Sequence, residues 1–261
     1  MRGRAISLSA PRRILGDLMH LASRVPSVPV QRRMQLAGVV AARAAVADRP
    51  GWPTIFLKAY ARVANQMPEL RRAYVCLPWP HLYEYHTSAA AVAFEREYRG
   101  EKAVFFGRVD RPAETALAAL DGLVRSYTET PIEEIKPFRK MLRFARLPRP
   151  LRRSLLWLAL NLRRSRPSRF GTFALSVYSS LGAESLHPIS PQTTTLTYGV
   201  IQPDGWVNVR LIYDHRVLDG AVVARALARL EEELTGAICD ELRTLARPGT
   251  WGDQPAILRA A

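Results

Sequence analysis

The chain has 261 residues, of which 48% are hydrophobic and 23% charged, a balance that is typical of a globular protein, and its net charge is +15. Its two cysteines, Cys76 and Cys239, are too few for a disulfide scaffold and lack metal-ligand spacing. We therefore expect a reducing compartment, the cytoplasm, and no bound metal. No apolar run reaches the ~18 residues of a spanning helix, so we expect no integral membrane protein, and no apolar run of signal-peptide length follows the basic first residues.

Hydrophobic periodicity predicts a first half that mixes helices and strands. Pro11 suits the first turn of a helix, and the apolar face of residues 54–67 predicts a second, clearly amphipathic helix. In chain order we expect a basic arm at 1–8, a helix at 11–24, a helix or short strand at 33–47, a turn at 50–53, a helix at 54–67, and strands at 73–77, 82–95 and 102–108.

The second half continues in the same manner around one unusual segment. Between Lys136 and Arg169 there are 12 basic residues and no acidic one, interleaved with apolar and aromatic side chains. In chain order we expect helices at 112–127 and 131–136, a basic insertion at 137–169, strands at 171–177, 193–201 and 205–213 with a hairpin turn at 202–205, a last helix at 219–236 that continues to 245, and a tail at 246–261. We expect residues 1–245 to form a single domain.

One stretch, residues 211–220, carries the clearest chemical signal. It reads Leu-Ile-Tyr-Asp-His-Arg-Val-Leu-Asp-Gly and places His215 between Asp214 and Asp219, where a strand ends and a helix begins. Asp219 and Gly220 supply an N-cap and a flexible joint. A histidine with a fixed backbone and acidic neighbours suits a general base, although a histidine between acids is also a common surface residue.

The motif Asp-His-Arg-x-x-Asp-Gly resembles the active-site signature of the acyltransferase (E2) catalytic domains of 2-oxoacid dehydrogenase complexes. It is also similar to the His-x-x-x-Asp-Gly of chloramphenicol acetyltransferases, which share their fold. Further segments resemble the family in the same order: Ser9-Ala10-Pro11-Arg12-Arg13-Ile14, Phe56-Leu57-Lys58-Ala59, Gly171-Thr172-Phe173-Ala174-Leu175-Ser176, His187-Pro188-Ile189 and Gly199-Val200. The resemblance covers about residues 8–236 and implies an α/β, chloramphenicol acetyltransferase-like sandwich with a mixed β-sheet flanked by helices.

The resemblance also implies roles for individual residues. His215 would be the general base, and Ser176 would hydrogen-bond the oxyanion, with Thr172 or Ser179 as alternatives because the residues after Ser176 depart from the family pattern. Asp219 would form an ion pair with an arginine near the N-terminus. The supporting residues of the site would be Arg12, Arg13, Asp214, Arg216 and Gly220. The family's site lies between subunits of a trimer, so we expect at least a homotrimer.

The basic insertion is much longer than the corresponding interval of the family. Arginines interleaved with leucines and Trp157 favour a surface that meets anions and hydrocarbon together, such as an anionic membrane. A solvated helical hairpin, or binding of the phosphates of coenzyme A or a carrier protein, would explain the same composition. We expect no nucleic-acid partner, because no nucleic-acid-binding motif is present.

The resemblance predicts an enzyme without a bound cofactor, with acyl-CoA or an acyl carrier protein as cosubstrate. Because the motifs begin at residue 9, we expect no lipoyl domain within the chain. A stand-alone acyltransferase, cytoplasmic and peripheral on the inner face of the membrane, with a lipid-linked acceptor, is the leading hypothesis. The alternatives are a non-catalytic trimeric scaffold that binds a membrane or protein, and an E2-type component that takes lipoyl groups in trans.

Overall fold

The computed structural model describes residues 3–162 and 165–246. Its centre is a six-stranded mixed sheet in the order β1-β8-β7-β6-β4-β5, beside which β2 and β3 form a separate antiparallel pair. The strands are β1 (Ser27–Gln35), β2 (Arg72–Val75), β3 (His81–Glu84), β4 (Ala89–Tyr98), β5 (Glu101–Asp110), β6 (Phe173–Leu175), β7 (Thr194–Tyr198) and β8 (Trp206–Asp214).

Helices cover both faces of this sheet. They are α1 (Ala10–Ala22), α2 (Ala37–Ala44), α3 (Trp52–Gln66), α4 (Leu117–Glu129), α5 (Lys136–Phe144), α6 (Arg149–Asn161), α7 (Ser165–Phe170), α8 (Gly220–Glu233) and α9 (Cys239–Leu245). A π-helical turn, Leu234–Ile238, joins α8 to α9. Within the described part of the chain, no helix combines the length and the apolar character that are needed to span a bilayer.

The main hydrophobic core lies between one face of the sheet and helices that include α3, α4 and α8. Alternate residues of β8 point into it, as the period of a half-buried strand requires: Val207, Val209, Leu211 and Tyr213. Helix α3 is tied to β7 by a hydrogen bond between the Tyr60 hydroxyl and Thr194 Oγ1, 2.8 Å long, and by stacking of Phe56 on Tyr198. This core holds β7 and β8, the strands that lead to the predicted site.

The opposite face of the sheet, at its β5 edge, is covered by α1 and α6. Their apolar side chains form a second, smaller core: Ile14, Leu18, Leu21, Leu156 and Leu160. The carboxylate of Asp17 on α1 is buried and accepts hydrogen bonds from the Arg152 and Arg153 side chains of α6, at 2.7 and 2.9 Å. Helix α6 of the basic insertion is therefore packed against α1 and is not part of a fully solvated hairpin.

The structure confirms the predicted fold class and most elements, with four differences. Residues 33–47 contain the last residues of β1 and the whole of α2. Strand β1 begins earlier than the pattern indicated, because Pro29 is tolerated on an edge strand. The predicted strand at 82–95 is two strands, β3 and β4. The predicted short helix at 131–136 is wrong, because a turn occupies it until α5 begins. The insertion forms α5, α6 and α7, and the predicted tail beyond Ala246 lies outside the described residues.

Strand direction gives the sheet two distinct ends. Strands β4, β6 and β7 are parallel, whereas β8 is antiparallel to β7 and to β1. At one end of the strands, β7 begins and β8 finishes; we call it the His215 end, because His215 directly follows β8. At the opposite end of the strands, β6 and β7 finish; we call it the Ser176 end, because Ser176 directly follows β6.

Candidate active site

His215 lies in the short connection between β8 and α8, as the sequence predicted. Its backbone N–H donates a 3.0 Å hydrogen bond to the carbonyl oxygen of Pro26, which holds the loop against the chain that enters β1. The imidazole packs beside the ring of Tyr213, with 5.4 Å between centroids, and remains 50% exposed. The backbone is therefore fixed while the ring is open to a substrate.

Asp219 occupies the N-cap position of α8 through its backbone, because its carbonyl oxygen accepts hydrogen bonds from Val222 and Val223. Its carboxylate forms no capping hydrogen bond and is 84% exposed. The carboxylate Oδ1 lies 3.9 Å from Nδ1 of His215, which is longer than an ordinary hydrogen bond. Gly220 begins α8 beneath Tyr213, whose hydroxyl would be 3.5 Å from a Cβ added there.

Asp214 and Arg216 bind each other on either side of His215. The Asp214 carboxylate is buried and accepts from the backbone N–H of Arg216 and from its Nε and Nη2, at 3.0, 2.9 and 2.7 Å. The guanidinium also stacks on Tyr74 of β2, 4.4 Å from the ring centroid. Hydrogen bonding to Asp214 raises the pKa of Arg216. The ion pair of Asp214 and Arg216 therefore holds the conformation of the loop that carries His215.

The ion pair expected between Asp219 and Arg12 or Arg13 does not form. Arg12 instead binds Glu101 at 2.9 Å, at the turn between β4 and β5, and Arg13 is exposed. The reason is topological: Glu101 lies on the β5 edge at the Ser176 end of the sheet, whereas Asp219 follows β8 at the His215 end. Four strand spacings of roughly 4.8 Å separate β5 from β8, so one side chain cannot bridge them.

Ser176 lies at the other end of the sheet from His215. Its backbone N–H donates to Leu196 of β7 at 3.1 Å, and Leu196 pairs with Leu211, four residues before His215. With a rise of about 3.3 Å per residue and about 4.8 Å between strands, the two residues are roughly 16 Å apart. The structure therefore does not bring Ser176 and His215 together within one chain.

The three hydroxyls considered for the oxyanion have different surroundings. Thr172 is buried, donates to the carbonyl oxygen of Ala89 and accepts from its N–H, so its hydroxyl is occupied by the backbone. Ser179 lies in a 3₁₀ turn beside the buried Tyr198. Ser176 is partly exposed, and within the described residues its hydroxyl has no hydrogen-bond partner. Of the three, Ser176 has the most available donor.

Sequence reasoning noted the family resemblance at His187-Pro188-Ile189 but assigned no role to the segment 183–190, which we call the strap. The Glu184 carboxylate binds the buried guanidinium of Arg210 on β8 at 2.7 Å. His187 Nε2 lies 2.8 Å from Ser27 Oγ on β1, and Ser190 bonds Thr195 on β7. The strap thus ties the chain that follows Ser176 across three strands. Arg210 gave a signal in the sequence, as a charged residue between apolar residues of a strand.

A cleft of about 710 Å³ opens beside the strap at the Ser176 end of the sheet. It is lined by Arg33, Glu184, Val200, Gln202, Pro203, Asp204, Trp206, Val207 and Asn208. The guanidinium of Arg33 covers the indole of Trp206, with 4.5 Å to the centroid. The volume is in the range of small-molecule sites. Within the described residues, no group of three or more His, Cys, Asp or Glu side chains could hold a metal ion.

Solved structures share this fold, although no protein-family model and no curated relative matches the sequence. A probable dihydrolipoamide acetyltransferase from Listeria monocytogenes gives a TM-score of 0.64 at 18% identity, over 89% of this chain and 94% of that one. The dihydrolipoamide acetyltransferase of Azotobacter vinelandii gives 0.63 at 19%, over 91% and 94%. Chloramphenicol acetyltransferase gives 0.54 at 15%, over 88% and 99%.

These neighbours are acyltransferases by name. In the Azotobacter enzyme, a serine, a histidine and an asparagine four residues after the histidine have been investigated for their role in the catalytic mechanism. The likeness agrees with the sequence motifs over almost the whole chain. The chain therefore has the chloramphenicol acetyltransferase-like fold of the E2 acyltransferase catalytic cores of 2-oxoacid dehydrogenase complexes.

Proposed function

We propose that the protein is a stand-alone acyltransferase that moves an acyl group from a coenzyme A or carrier-protein thioester to a nucleophilic acceptor. His215 is the general base, and Ser176 of a neighbouring subunit donates a hydrogen bond to the oxyanion. The site is complete only in a homotrimer, and we place the enzyme in the cytoplasm with a lipid-linked acceptor.

One observation carries this proposal: the two groups that acyl transfer needs are both available but lie at opposite ends of one sheet. His215 is half exposed on a fixed backbone, and the Ser176 hydroxyl is not used by any described residue. A separation of roughly 16 Å excludes joint action within one chain. A second copy that meets the Ser176 end of this chain with its own His215 end would unite them.

The chemistry follows from the positions of the ring nitrogens. Nδ1 of His215 is turned toward Asp219, which leaves Nε2 to take the proton of the acceptor's hydroxyl, amine or thiol. The acceptor then attacks the thioester carbonyl, and the Ser176 hydroxyl stabilises the negative oxygen of the tetrahedral intermediate. Collapse breaks the carbon–sulfur bond, and the imidazolium returns its proton to the leaving thiolate.

The spacing of His215 and Asp219 supports this assignment, because the histidine and asparagine of the Azotobacter enzyme are separated by the same interval. The Asp219 carboxylate faces the Nδ1 side of the imidazole, so Nε2 remains directed at the acceptor. We therefore assign Asp219 to the site itself and not to an arginine pair.

The test is thiol release from a panel of acyl-CoAs and acyl carrier proteins, with alcohol, amine and dihydrolipoyl acceptors. We expect transfer to a non-lipoyl acceptor, and a fall in kcat of about 10²–10⁴-fold in His215→Ala, the usual contribution of a positioned base. Transfer only to dihydrolipoyl groups would instead identify an E2-type component.

His86→Ala is the matched control, because His86 is also exposed but lies on the loop between β3 and β4. Its kcat should equal that of the unmodified protein. Equal rates of thiol release in His215→Ala and His86→Ala would remove His215 as the base, and no transfer with any acceptor would favour the non-catalytic scaffold.

A further inference from the structure

The outward side of α6 is apolar where a surface helix is normally polar. Leu151, Leu158 and, at the C-terminal cap, Leu162 recur along it at helical spacing, and Trp157 lies about 100° around the helix from Leu158. Each of these four side chains is 39–46% exposed. The other side of the helix is already buried against α1 through Leu156 and Leu160. We call the exposed side the α6 face. Several large apolar side chains exposed on one helix favour an interaction site.

Positive charge surrounds the α6 face. A cleft of about 480 Å³ separates α6 from the end of α1 and is lined by His20, Leu21, Arg24, Arg153, Ser154, Trp157 and Leu158. Arg24 and Arg149 are exposed, and the nearby acid Asp17 is buried and bound to two arginines. Partial burial and the charges of Arg153, Arg24 and Arg149 lower the pKa of His20, as a positive local field requires.

Two contacts connect the surroundings of the α6 face to the loop that carries His215. Arg24, which lines the cleft beside the middle of α6, lies two residues before Pro26, whose carbonyl oxygen accepts the His215 N–H. Near the C-terminus of α6, the Asn161 side chain accepts the N–H of Cys76 at 3.1 Å, directly after β2. Residue Tyr74 of β2 supports Arg216, the neighbour of His215. The surface and the catalytic histidine therefore share one end of the molecule.

We propose that the α6 face docks on an anionic lipid bilayer, with Trp157 and the leucines at the acyl boundary and Arg24 and Arg149 on lipid phosphates. Charge complementarity selects this occupant: exposed apolar side chains beside the exposed Arg24 and Arg149, and a cleft whose described lining contains basic but no acidic side chains, match an anionic interface. A second copy of the chain would bring its own arginines against these, so self-association through this face is opposed by like charge. The consequence for the acceptor, that a lipid presents it to His215, rests on the proposed function.

Vesicle flotation of the full chain tests the docking without any assay of activity. We expect it to float with mixed phosphatidylcholine–phosphatidylglycerol vesicles, to do so poorly with phosphatidylcholine alone, and to lose binding as salt is raised. Arg24→Ser and Arg149→Ser should each weaken binding about fivefold. The triple variant Leu151→Ser, Trp157→Ser, Leu158→Ser should weaken it more than tenfold, through lost burial of apolar area.

The matched controls are Leu123→Ser on α4, whose leucine is 40% exposed, and the double variant Arg225→Ser, Arg229→Ser on α8, whose arginines are exposed. They should float like the unmodified protein, and circular dichroism should show that every variant is folded. Equal flotation with neutral and anionic vesicles, or unchanged flotation of the α6 variants, would overturn the proposal. A smaller oligomer in the triple variant, measured by light scattering, would also overturn it and assign the face to a second copy.

Activity measurements separate this proposal from the acyltransferase proposal. If both hold, the α6 variants keep their kcat on a water-soluble acceptor and lose transfer to an acceptor that is embedded in vesicles. If the protein floats as described but transfers no acyl group, docking stands and the acyltransferase proposal fails.

Discussion

The two ends of the central sheet are built in different ways. At the His215 end, the loop is held by a buried carboxylate, Asp214, which binds Arg216 through three hydrogen bonds. At the Ser176 end, the chain after β6 leaves the sheet and is secured by side chains of the strap, chiefly the Glu184–Arg210 ion pair. Each end presents one of the two proposed catalytic groups and lacks the other, so the sheet keeps His215 and Ser176 apart within a chain.

This comparison is tested most strongly by mixing two inactive proteins. His215→Ala and Ser176→Ala should each be nearly inactive, but trimers refolded from an equal mixture should recover about a quarter of the normal activity, because one interface in four then pairs an intact histidine with an intact serine. The measurement is thiol release against mixing ratio. Activity that never rises above that of the two parents would show that the groups do not combine across subunits.

The His215 end should be the more sensitive to loss of its ion pair. Asp214→Asn leaves Arg216 without a carboxylate, and we expect a loss of about 2–3 kcal/mol in the free energy of unfolding, because Asp214 is buried while Arg216 is partly exposed. Urea unfolding measures it. The control Asp240→Asn breaks the exposed pair with Arg243 and should cost under about 0.5 kcal/mol. Equal losses in Asp214→Asn and Asp240→Asn would show that the buried Asp214–Arg216 pair is no more stabilising than an exposed pair.

The strap should matter to activity more than to stability. Glu184→Gln leaves the buried Arg210 with a neutral partner, and we expect a loss of about 1–2 kcal/mol and a fall of about tenfold in kcat, as Ser176 loses its position. KM for the acyl donor should change less. Glu231→Gln, which weakens the equally short but more exposed pair with Arg32, serves as control and should leave kcat unchanged. A normal kcat in Glu184→Gln would remove the strap from the site.

The smallest effect is expected at Arg12. Because its pair with Glu101 is exposed and lies on the far edge of the sheet, Arg12→Ala should cost less than about 1 kcal/mol and leave kcat and KM unchanged. Steady-state kinetics of Arg12→Ala and Asp219→Ala, measured side by side, test this expectation. A shared loss of activity in the two variants would restore the ion pair that the family resemblance implies.

The local sequence pattern correctly predicted the strand and the helix that flank His215. The alternation of Val207, Val209 and Leu211 and the helical spacing after Gly220 located His215 at a strand–helix junction, because those periods depend only on which face is buried. The same reasoning failed at residues 131–136, where a turn precedes α5. It also could not separate β3 from β4, because strand-like composition does not show where one strand ends and the next begins.

Other features depended on residues far apart in the chain. The charge pattern of the insertion was visible in the sequence. The packing of α6 against α1 was not, because it depends on the ion pair between Arg152 and Asp17, which are 135 residues apart in the chain. The strap was not foreseen because its anchors, Arg210, Ser27 and Thr195, come from three separate strands. The predicted partner of Arg12, Asp219, was wrong. A motif gives the identity and order of residues, but it does not show which edge of the sheet a helix covers.

The sequence by itself determined the fold class, the place of His215 at the end of β8 and the basic, apolar character of residues 136–169. These follow from periodicity, motif and composition, which are properties of neighbouring residues. Only the tertiary structure decided that Ser176 and His215 lie at opposite ends of one sheet, that Arg12 is remote from Asp219, and that α6 exposes an apolar face beside the His215 loop. The physical reason is that strand direction and order, which set these distances, are established by packing between distant segments.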